Sequence, residues 1–219
     1  LSGNIFTSRL SILCKIITAT FRIINFAFYA GVKEAFHDDI SLAKFIAFFL
    51  AITRIIAITL KMIFTSRLIN KLGIIQSLLI TPVVMLLFVF TIILTQNLQG
   101  FQKIIIYLFG ATAIVVDILR SSINTPVFLT IMQPLSNHER LRAHTIVKGI
   151  MDPFASLFTG VMLLLLIHYQ RQHKVDLLIL SYVLLAIGIL WIIGIYRVNS
   201  QYLKTIIKTI SSRYFNREN

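Results

Sequence analysis

The sequence predicts an all-α integral membrane protein whose six transmembrane helices form two three-helix repeats. The first observation is composition, because 57% of the 219 residues are hydrophobic and only 13% are charged. Soluble domains carry about 25% charged residues. The second is that the apolar runs reach the roughly 20 residues that a helix needs to cross a hydrocarbon core of about 30 Å. The third is the placement of the few charges within those runs.

A hydropathy window of about 19 residues separates six apolar segments. They cover about 10–32, 42–65, 74–94, 104–123, 145–167 and 176–195. We assign 1–197 to one six-helix transmembrane domain and 198–219 to a basic tail. Apolar residues in the tail recur at helical spacing around Lys204 and Lys208, which favours an amphipathic helix on the anionic cytoplasmic leaflet. A disordered basic tail is the alternative.

The basic excess is unevenly divided between the two sides of the membrane. The chain has 21 Lys and Arg residues against 8 Asp and Glu. Thirteen of the basic residues, Arg120 and Lys148 included, fall on one side, five fall on the other, and three lie within helices. The positive-inside rule therefore predicts that both ends are cytoplasmic. Because loop charge explains the basic balance, no nucleic-acid partner is expected.

Enzyme chemistry has no recognisable constellation in this sequence. Cys14 is the only cysteine, so no intrachain disulfide is expected. His138, Glu139 and His144 lack the HExxH spacing of a helical zinc site, so no metal is expected. The sequence contains neither a phosphate-cradling glycine loop nor a GxSxG motif. We therefore predict neither an enzyme nor a cofactor.

Charges inside the apolar segments follow a period of three helices. Segments one, two, four and five contain Arg22, Arg54, Asp117 and Asp152, whereas the cores of segments three and six contain no charge. Intramembrane charges cost several kcal/mol and normally face a protein interior or a water-filled cavity. We therefore expect segments three and six to face lipid. Three-helix repeats around a midplane site are typical of secondary transporters, of which six helices would be one half.

Arg22 and Arg54 are the candidate substrate ligands. A guanidinium group binds phosphate or carboxylate through two parallel hydrogen bonds, which suits an anionic substrate in a central cavity. The alternative is a structural ion pair between each arginine and an acid on a neighbouring helix. The sequence leaves both interpretations open.

The stretch Asp117–Gly160 interrupts the apolar pattern and holds three of the four prolines. Because proline removes a backbone donor and kinks a helix, Pro134 and Pro153 are the candidate hinges for alternating access. The stretch is interpreted as the connection between segments four and five.

Two pairs of opposite charges border this connection. Asp117 and Arg120 stand at i, i+3 and can pair with each other, as a gate or as a structural anchor near the cytoplasmic end of segment four. Lys148 and Asp152 stand at i, i+4 and are predicted to form a neutralised pair, with a gating role as the alternative.

Three stretches carry a resemblance to a known family. They are KEAF followed by DDISLAKFIAFF, then FTSRLINKLGIIQSLLITPVV, then RSSINTPVFLTIMQPLSNHERLRAHTIVKGIMDPFASLFTG. Over about residues 10–195 the chain resembles the C-terminal half of the non-mitochondrial ATP/ADP translocases. These are bacterial and plastid nucleotide transporters of the major facilitator superfamily.

The resemblance implies a half-bundle of the major facilitator type that works by alternating access as an antiporter. Its substrate would be a small organic anion, with a nucleotide or another phosphorylated metabolite favoured, and Lys33 would join the substrate site. It also implies the lipid bilayer of a bacterial inner membrane. The partner would be an N-terminal six-helix half, located upstream on the same chain or on a separate subunit.

Two positions depart from the family pattern. Tyr29 stands where the family carries an acid, one turn before the lysine matched by Lys33. Ser156, Leu157 and Phe158 stand where the family carries a lysine beside glycines. These departures support an alternative function, a non-transporting membrane scaffold subunit that keeps the fold.

Overall fold

The computed structural model describes residues 2–36, 38–96, 102–133, 137–169 and 177–215. All of the regular structure in these ranges is helical. The helices are α1 Ser2–Ala35, α2 Asp39–Gln96, α3 Gln102–Leu119, α4 Thr125–Ile131, α5 Asn137–His144, α6 Asp152–Tyr169 and α7 Leu177–Phe215. Two π-helical segments, Arg120–Asn124 and Thr145–Met151, join α3 to α4 and α5 to α6.

Six stretches within the described helices are long and apolar enough to cross a membrane. We number them as spans one to six: Ser8–Lys33, Asp39–Ile63, Arg67–Gln96, Ile104–Ile131, His138–Leu166 and Leu177–Leu203. The predicted class, an all-α integral membrane protein with six spans, is confirmed.

Spans four and five extend further than the sequence predicted. Span four continues to Ile131 and span five begins at His138, so Arg120 and Lys148 lie well inside their spans. The prediction that Arg120 lies near the cytoplasmic end of its helix is therefore wrong. The apolar helix continues past Pro126 because the π-helical segment Arg120–Asn124 precedes it, and the wider turn makes room for the proline ring. When Arg120 and Lys148 are left out of the count, the predicted cytoplasmic side still has more basic residues than the opposite side.

Spans two and three belong to one helical stretch that is interrupted at Gly73. This glycine has φ 77° and ψ 173°, a backbone conformation that is essentially restricted to glycine. The Ser77 hydroxyl donates a hydrogen bond of 2.7 Å to the Gly73 carbonyl and supports the restarted helix. Segment three was predicted to begin at about residue 74, directly after this break, but the residues immediately before Gly73 are helical as well.

Spans one and four form the centre of the bundle. In an 18-residue apolar window of each span, 56% of the residues of span one and 44% of those of span four are buried. Gly110 on span four allows the close approach, because a Cβ there would lie 2.9 Å from the Phe28 ring. The same ring stacks on Phe49 of span two, with the centroids 4.4 Å apart.

Spans two and five, rather than three and six, leave the most surface uncovered. Spans three and six are each 33% buried, against 11% for span two and 17% for span five. The greater exposure of spans two and five was not predicted, whereas the lipid-facing position of spans three and six stays a prediction. Those two spans pack on each other, since a Cβ on Gly188 would lie 2.6 Å from Leu86. The burial of a span therefore depends on which of its faces pack against another span, and not on how many charges it carries.

Contacts between spans are consistent with two three-helix repeats. Under an exchange of spans one to three for spans four to six, the one–five contact maps onto the four–two contact, and the one–six contact maps onto the four–three contact. Spans one and five meet through Thr18 and Asp152, and spans four and two through Asp117 and Arg54. Spans one and six meet through Leu13 and Gly194, and spans four and three through Asn124 and Thr81.

The beginning of span one and the end of span six lie at the same end of the bundle. Arg9 Nη1 donates a hydrogen bond of 3.2 Å to the Arg197 carbonyl. Helix α7 then continues unbroken to Phe215, so the described part of the tail is not a separate helix. No glycine or proline follows Gly194 in the sequence to end the helix.

Asp38 caps α2 and makes its stability depend on pH. Its carboxylate accepts hydrogen bonds from the Ser41 hydroxyl and from the backbone N–H groups of Ser41 and Ile40. These bonds, the Ser41 hydroxyl first, lower the pKa of the exposed Asp38 carboxyl. A lowered folded-state pKa means stabilisation that is full above the unfolded value of about 3.9 and lost as pH falls through the folded value.

We therefore expect Asp38→Ala to lower the thermal midpoint at neutral pH, and the difference from wild type to shrink below about pH 4. Thermal unfolding in detergent across this pH range measures it. Asp39→Ala is the matched control, since it removes a neighbouring exposed carboxyl outside this capping geometry. A difference that persists unchanged at the acidic end would contradict the capping role.

Candidate functional site

Six charged residues lie within about one helical turn of the middle of their spans. We call them the mid-membrane charge layer: Arg22, Arg54, Asp117, Arg120, Lys148 and Asp152. Spans one, two, four and five contribute to it. The layer holds four basic and two acidic groups, so it carries an excess of two positive charges.

Asp117 is the most buried acid of the layer and pairs across helices. Its Oδ2 lies 3.3 Å from Arg54 Nη1. The Asp117 side chain is 11% exposed, whereas that of Arg54 is 57% exposed. The pair joins span four to span two, and the predicted pairing of Asp117 with Arg120 on the same helix is wrong.

Arg120 contacts span one rather than Asp117, and a π-helical turn begins at this residue. Its guanidinium carbon lies 4.4 Å from the centre of the Phe21 ring of span one, a cation–π contact. The Thr125 N–H donates to the Arg120 carbonyl, five residues earlier. A π-helical turn accommodates an extra residue and so rotates the following side chains relative to an α-helix.

Asp152 receives contacts from two spans. Thr18 Oγ1 of span one donates a hydrogen bond of 2.7 Å to Asp152 Oδ1, and Lys148 Nζ lies 3.2 Å from Oδ2. The predicted Lys148–Asp152 pair is therefore present. Its side chains are 43% and 22% exposed, respectively, so the pair is only partly withdrawn from its surroundings.

A cavity of about 20 Å³ lies between spans one, four and five at this level. We call it the mid-membrane cavity, and it has room for about one water molecule. Its polar lining residues are Thr18, Arg120, Asn124, Thr125, Lys148 and Asp152. Asp152 and Arg120 thus face one small space from different helices.

Both π-helical segments end two residues before a proline. The first ends at Asn124 before Pro126, and the second ends at Met151 before Pro153. A proline ring collides with the carbonyl four residues earlier, and a wider turn relieves that collision. The predicted irregularity at Pro153 is therefore present as a π turn, whereas its hinge role stays a prediction. Pro134, the other predicted hinge, lies outside the described residues.

The remaining predicted ligands are not gathered into one cluster. Arg22 is exposed and forms no ion pair with any described residue. Lys33 is exposed at the end of span one, about 16 Å along the helix from Arg22. The structure therefore brings Arg54, Asp117, Arg120, Lys148 and Asp152 into two neighbouring groups and leaves Lys33 away from them.

Sequence reasoning missed the neutral members of this site. Asn124 is 1% exposed, and its Oδ1 accepts a hydrogen bond of 3.0 Å from Thr81. Its Nδ2 has no hydrogen-bond partner among the residues that the structure describes, although Asn124 lines the mid-membrane cavity. An unpaired buried donor costs about 1–3 kcal/mol, so a water or a ligand oxygen in the cavity would stabilise it. The one sequence signal for Asn124 was its position two residues before Pro126, because a proline inside a helix leaves nearby backbone groups without their usual partners.

Metal ligation has no support in the described part of the chain. No group of three His, Cys, Asp or Glu side chains comes together there as metal ligands would. Cys14, the only thiol, is buried beside the mid-membrane cavity.

No family model, curated protein or solved structure matches this chain. Fold class alone does not define function. Function is therefore inferred from the geometry and charge of the mid-membrane charge layer.

Proposed function

We propose that the chain is one half of a secondary transporter that moves an organic anion by alternating access, with a nucleotide or another phosphorylated metabolite favoured. The observation that carries the proposal is the excess of two positive charges in the mid-membrane charge layer. An uncompensated charge at that depth costs several kcal/mol. A bound anion supplies the missing negative charge, which makes the basic excess useful.

Arg22 and Arg54 are the proposed anion ligands. Both are exposed at mid-span, so their guanidinium groups are accessible from outside this six-helix bundle. Arg54 uses Nη1 toward Asp117 and retains further donors for a phosphate oxygen. Lys33, at the end of span one, is proposed as a contact for an extended substrate such as a nucleotide.

The uncovered spans support a partner half, on the same chain or as a separate subunit. Ala43, Ala47 and Ala51 follow one another at i, i+4 on span two, and all three are exposed. Small residues at this spacing allow two membrane helices to pack closely. We propose that spans two and five, the least buried, contact the partner.

Alternating access requires spans that bend without breaking their backbone hydrogen bonds. The two π-helical segments supply such points near the middle of spans four and five, and π turns are frequent at functional sites. We propose Pro153, with the π turn before it, as the hinge of span five. Asp117, Arg120, Lys148 and Asp152 are the charges whose pairing would change as the hinge moves.

Uptake of radiolabelled ATP and ADP into proteoliposomes that contain the full-length protein tests the proposal. We expect Arg22→Ala together with Arg54→Ala to reduce uptake at least about tenfold, because two charge-assisted contacts are lost. Arg54→Ala combined with Asp117→Ala keeps the layer's net charge, so it separates substrate binding from the stability of the ion pair. Lys44→Ala, an exposed charge on the same span, is the matched control. Uptake unchanged by the double arginine substitution would refute the proposal.

The second candidate is a non-transporting scaffold subunit in the same membrane. It is favoured by the pairing of both acids of the layer, Asp117 with Arg54 and Asp152 with Lys148. A wild-type protein that binds its partner stably in detergent but takes up no organic anion would support the scaffold. We propose an inner bacterial membrane location with cytoplasmic ends for both candidates, and an enzymatic activity for neither.

A further inference from the structure

A second space opens at the end of the bundle where span one begins. It is a cleft of about 350 Å³ between the first turns of span one and the α5 region of span five. We call it the span 1–5 cleft. Its polar lining includes Ser8, Lys15, His138, Glu139 and Arg142. The positive-inside rule assigns this end of the bundle to the cytoplasm.

The cleft lies next to the mid-membrane cavity along spans one and five. Lys15 lines the cleft and the preceding residue, Cys14, lines the cavity. Met151 likewise lines the cleft, and the next residue, Asp152, lines the cavity. No residue lines both spaces, but spans one and five contribute to the lining of each. Together they extend from the membrane boundary to the middle of the bundle.

Basic groups are distributed along this course. Arg142 lies near the outer end, about one turn into span five, and Lys15 lies about two turns into span one. Lys148 and Arg120 follow at the mid-membrane cavity. One acid, Glu139, also lines the cleft, so Lys15 and Arg142 leave it with an excess of one positive charge before any charge on His138.

We propose that the span 1–5 cleft binds a phosphate group, with Lys15 and Arg142 as its ligands. Arg presents paired donors to phosphate oxygens and Lys supplies a point charge. A cleft of this volume holds a phosphorylated small molecule or a lipid headgroup, and both present the same phosphate chemistry. Phosphate binding here stands independently of transport. Only its role as the cytoplasmic approach to the mid-membrane cavity rests on the proposed function.

The first arm of the test uses inorganic pyrophosphate as a soluble probe. The protein is placed in nanodiscs of phosphatidylcholine, with Cys14→Ser and Ile12→Cys, so that the single thiol lies at a cleft-lining position that is 52% exposed in the wild type. We expect pyrophosphate to slow modification of this thiol by a negatively charged methanethiosulfonate. Lys15→Gln with Arg142→Gln is expected to raise the protecting concentration at least about tenfold.

The second arm measures lipid. Native mass spectrometry counts the phosphatidylglycerol molecules that stay bound after release from mixed phosphatidylcholine–phosphatidylglycerol nanodiscs. The site is assigned to a lipid headgroup if the double variant loses bound phosphatidylglycerol and pyrophosphate does not protect the thiol in the wild type. Protection without retention assigns it to a soluble phosphate compound.

Lys44→Gln with Lys61→Gln is the matched control, since it removes two exposed basic charges from span two. It is expected to change either readout by less than about twofold. Arg142→Gln alone is the second variant if the double variant fails to elute as a folded species. The proposal would be overturned if the wild type showed no protection and no lipid retention. It would also be overturned if the cleft variants and the control variants gave equal values. Lost uptake on Arg22→Ala with intact pyrophosphate protection would separate this site from the transport site.

Discussion

Arg54→Ala is expected to lower the free energy of unfolding by about 1–3 kcal/mol, less than for a pair with both partners buried, because only Asp117 is withdrawn into the bundle. Arg54 itself is largely exposed, but the Asp117 carboxylate it contacts at 3.3 Å has only 11% of its side chain exposed. Removing the arginine therefore leaves a carboxylate inside the bundle. Unfolding in detergent, followed by circular dichroism, measures the loss.

Two variants identify the cause of this loss. Arg54→Ala combined with Asp117→Asn is expected to recover most of the stability, because the neutral amide has no charge to desolvate. Arg22→Ala is the matched single control, since Arg22 is an exposed mid-span arginine without an ion pair among the described residues. Equal losses for Arg54→Ala and Arg22→Ala would show that Asp117 does not depend on Arg54.

Gly73→Ala is expected to cost about 1–3 kcal/mol, because φ 77° with ψ 173° is a region that residues with a Cβ avoid. The strain comes from the backbone alone, since a Cβ at this position would meet nothing within 4 Å. Relief of the strain would require spans two and three to reorient, which would also move Arg54. Thermal unfolding and partner assembly of the variant measure both effects.

Gly160→Ala provides the comparison. A Cβ on Gly160 also meets nothing within 4 Å, but this glycine lies in α6 without a positive φ. There the substitution is expected to stabilise by up to about 1 kcal/mol, as alanine does in helices. If both substitutions change stability by the same amount and sign, the backbone at Gly73 is not the constraint that its dihedral angles indicate.

Local sequence predicted the elements well where hydropathy is the cause. Six runs of apolar residues became six spans, and the break at Gly73 in α2 falls directly before the predicted start of segment three. Each of these features depends on residues close together in the chain. The boundaries of spans four and five were wrong because polar residues such as Asn124 lie within a buried helix, where Thr81 of another span satisfies its oxygen.

Charge pairing could not be predicted from spacing. Asp117 and Arg120 stand at the separation that favours a pair on one helix, yet Asp117 contacts Arg54 and Arg120 stacks on Phe21. Each of these two side chains contacts a different neighbouring span. Spacing rules describe pairs on one helix, so they do not show when a partner on another helix lies closer.

The sequence by itself determined the membrane class, the six spans, their charge content and the unequal distribution of basic residues, because hydropathy and charge are local sums along the chain. Only the tertiary structure decided which charges meet, that spans two and five are the uncovered ones, and that spans one and five enclose a basic cleft. Those outcomes depend on how each helix is rotated about its axis and on which neighbour it contacts, and nearest-neighbour spacing carries no information on either.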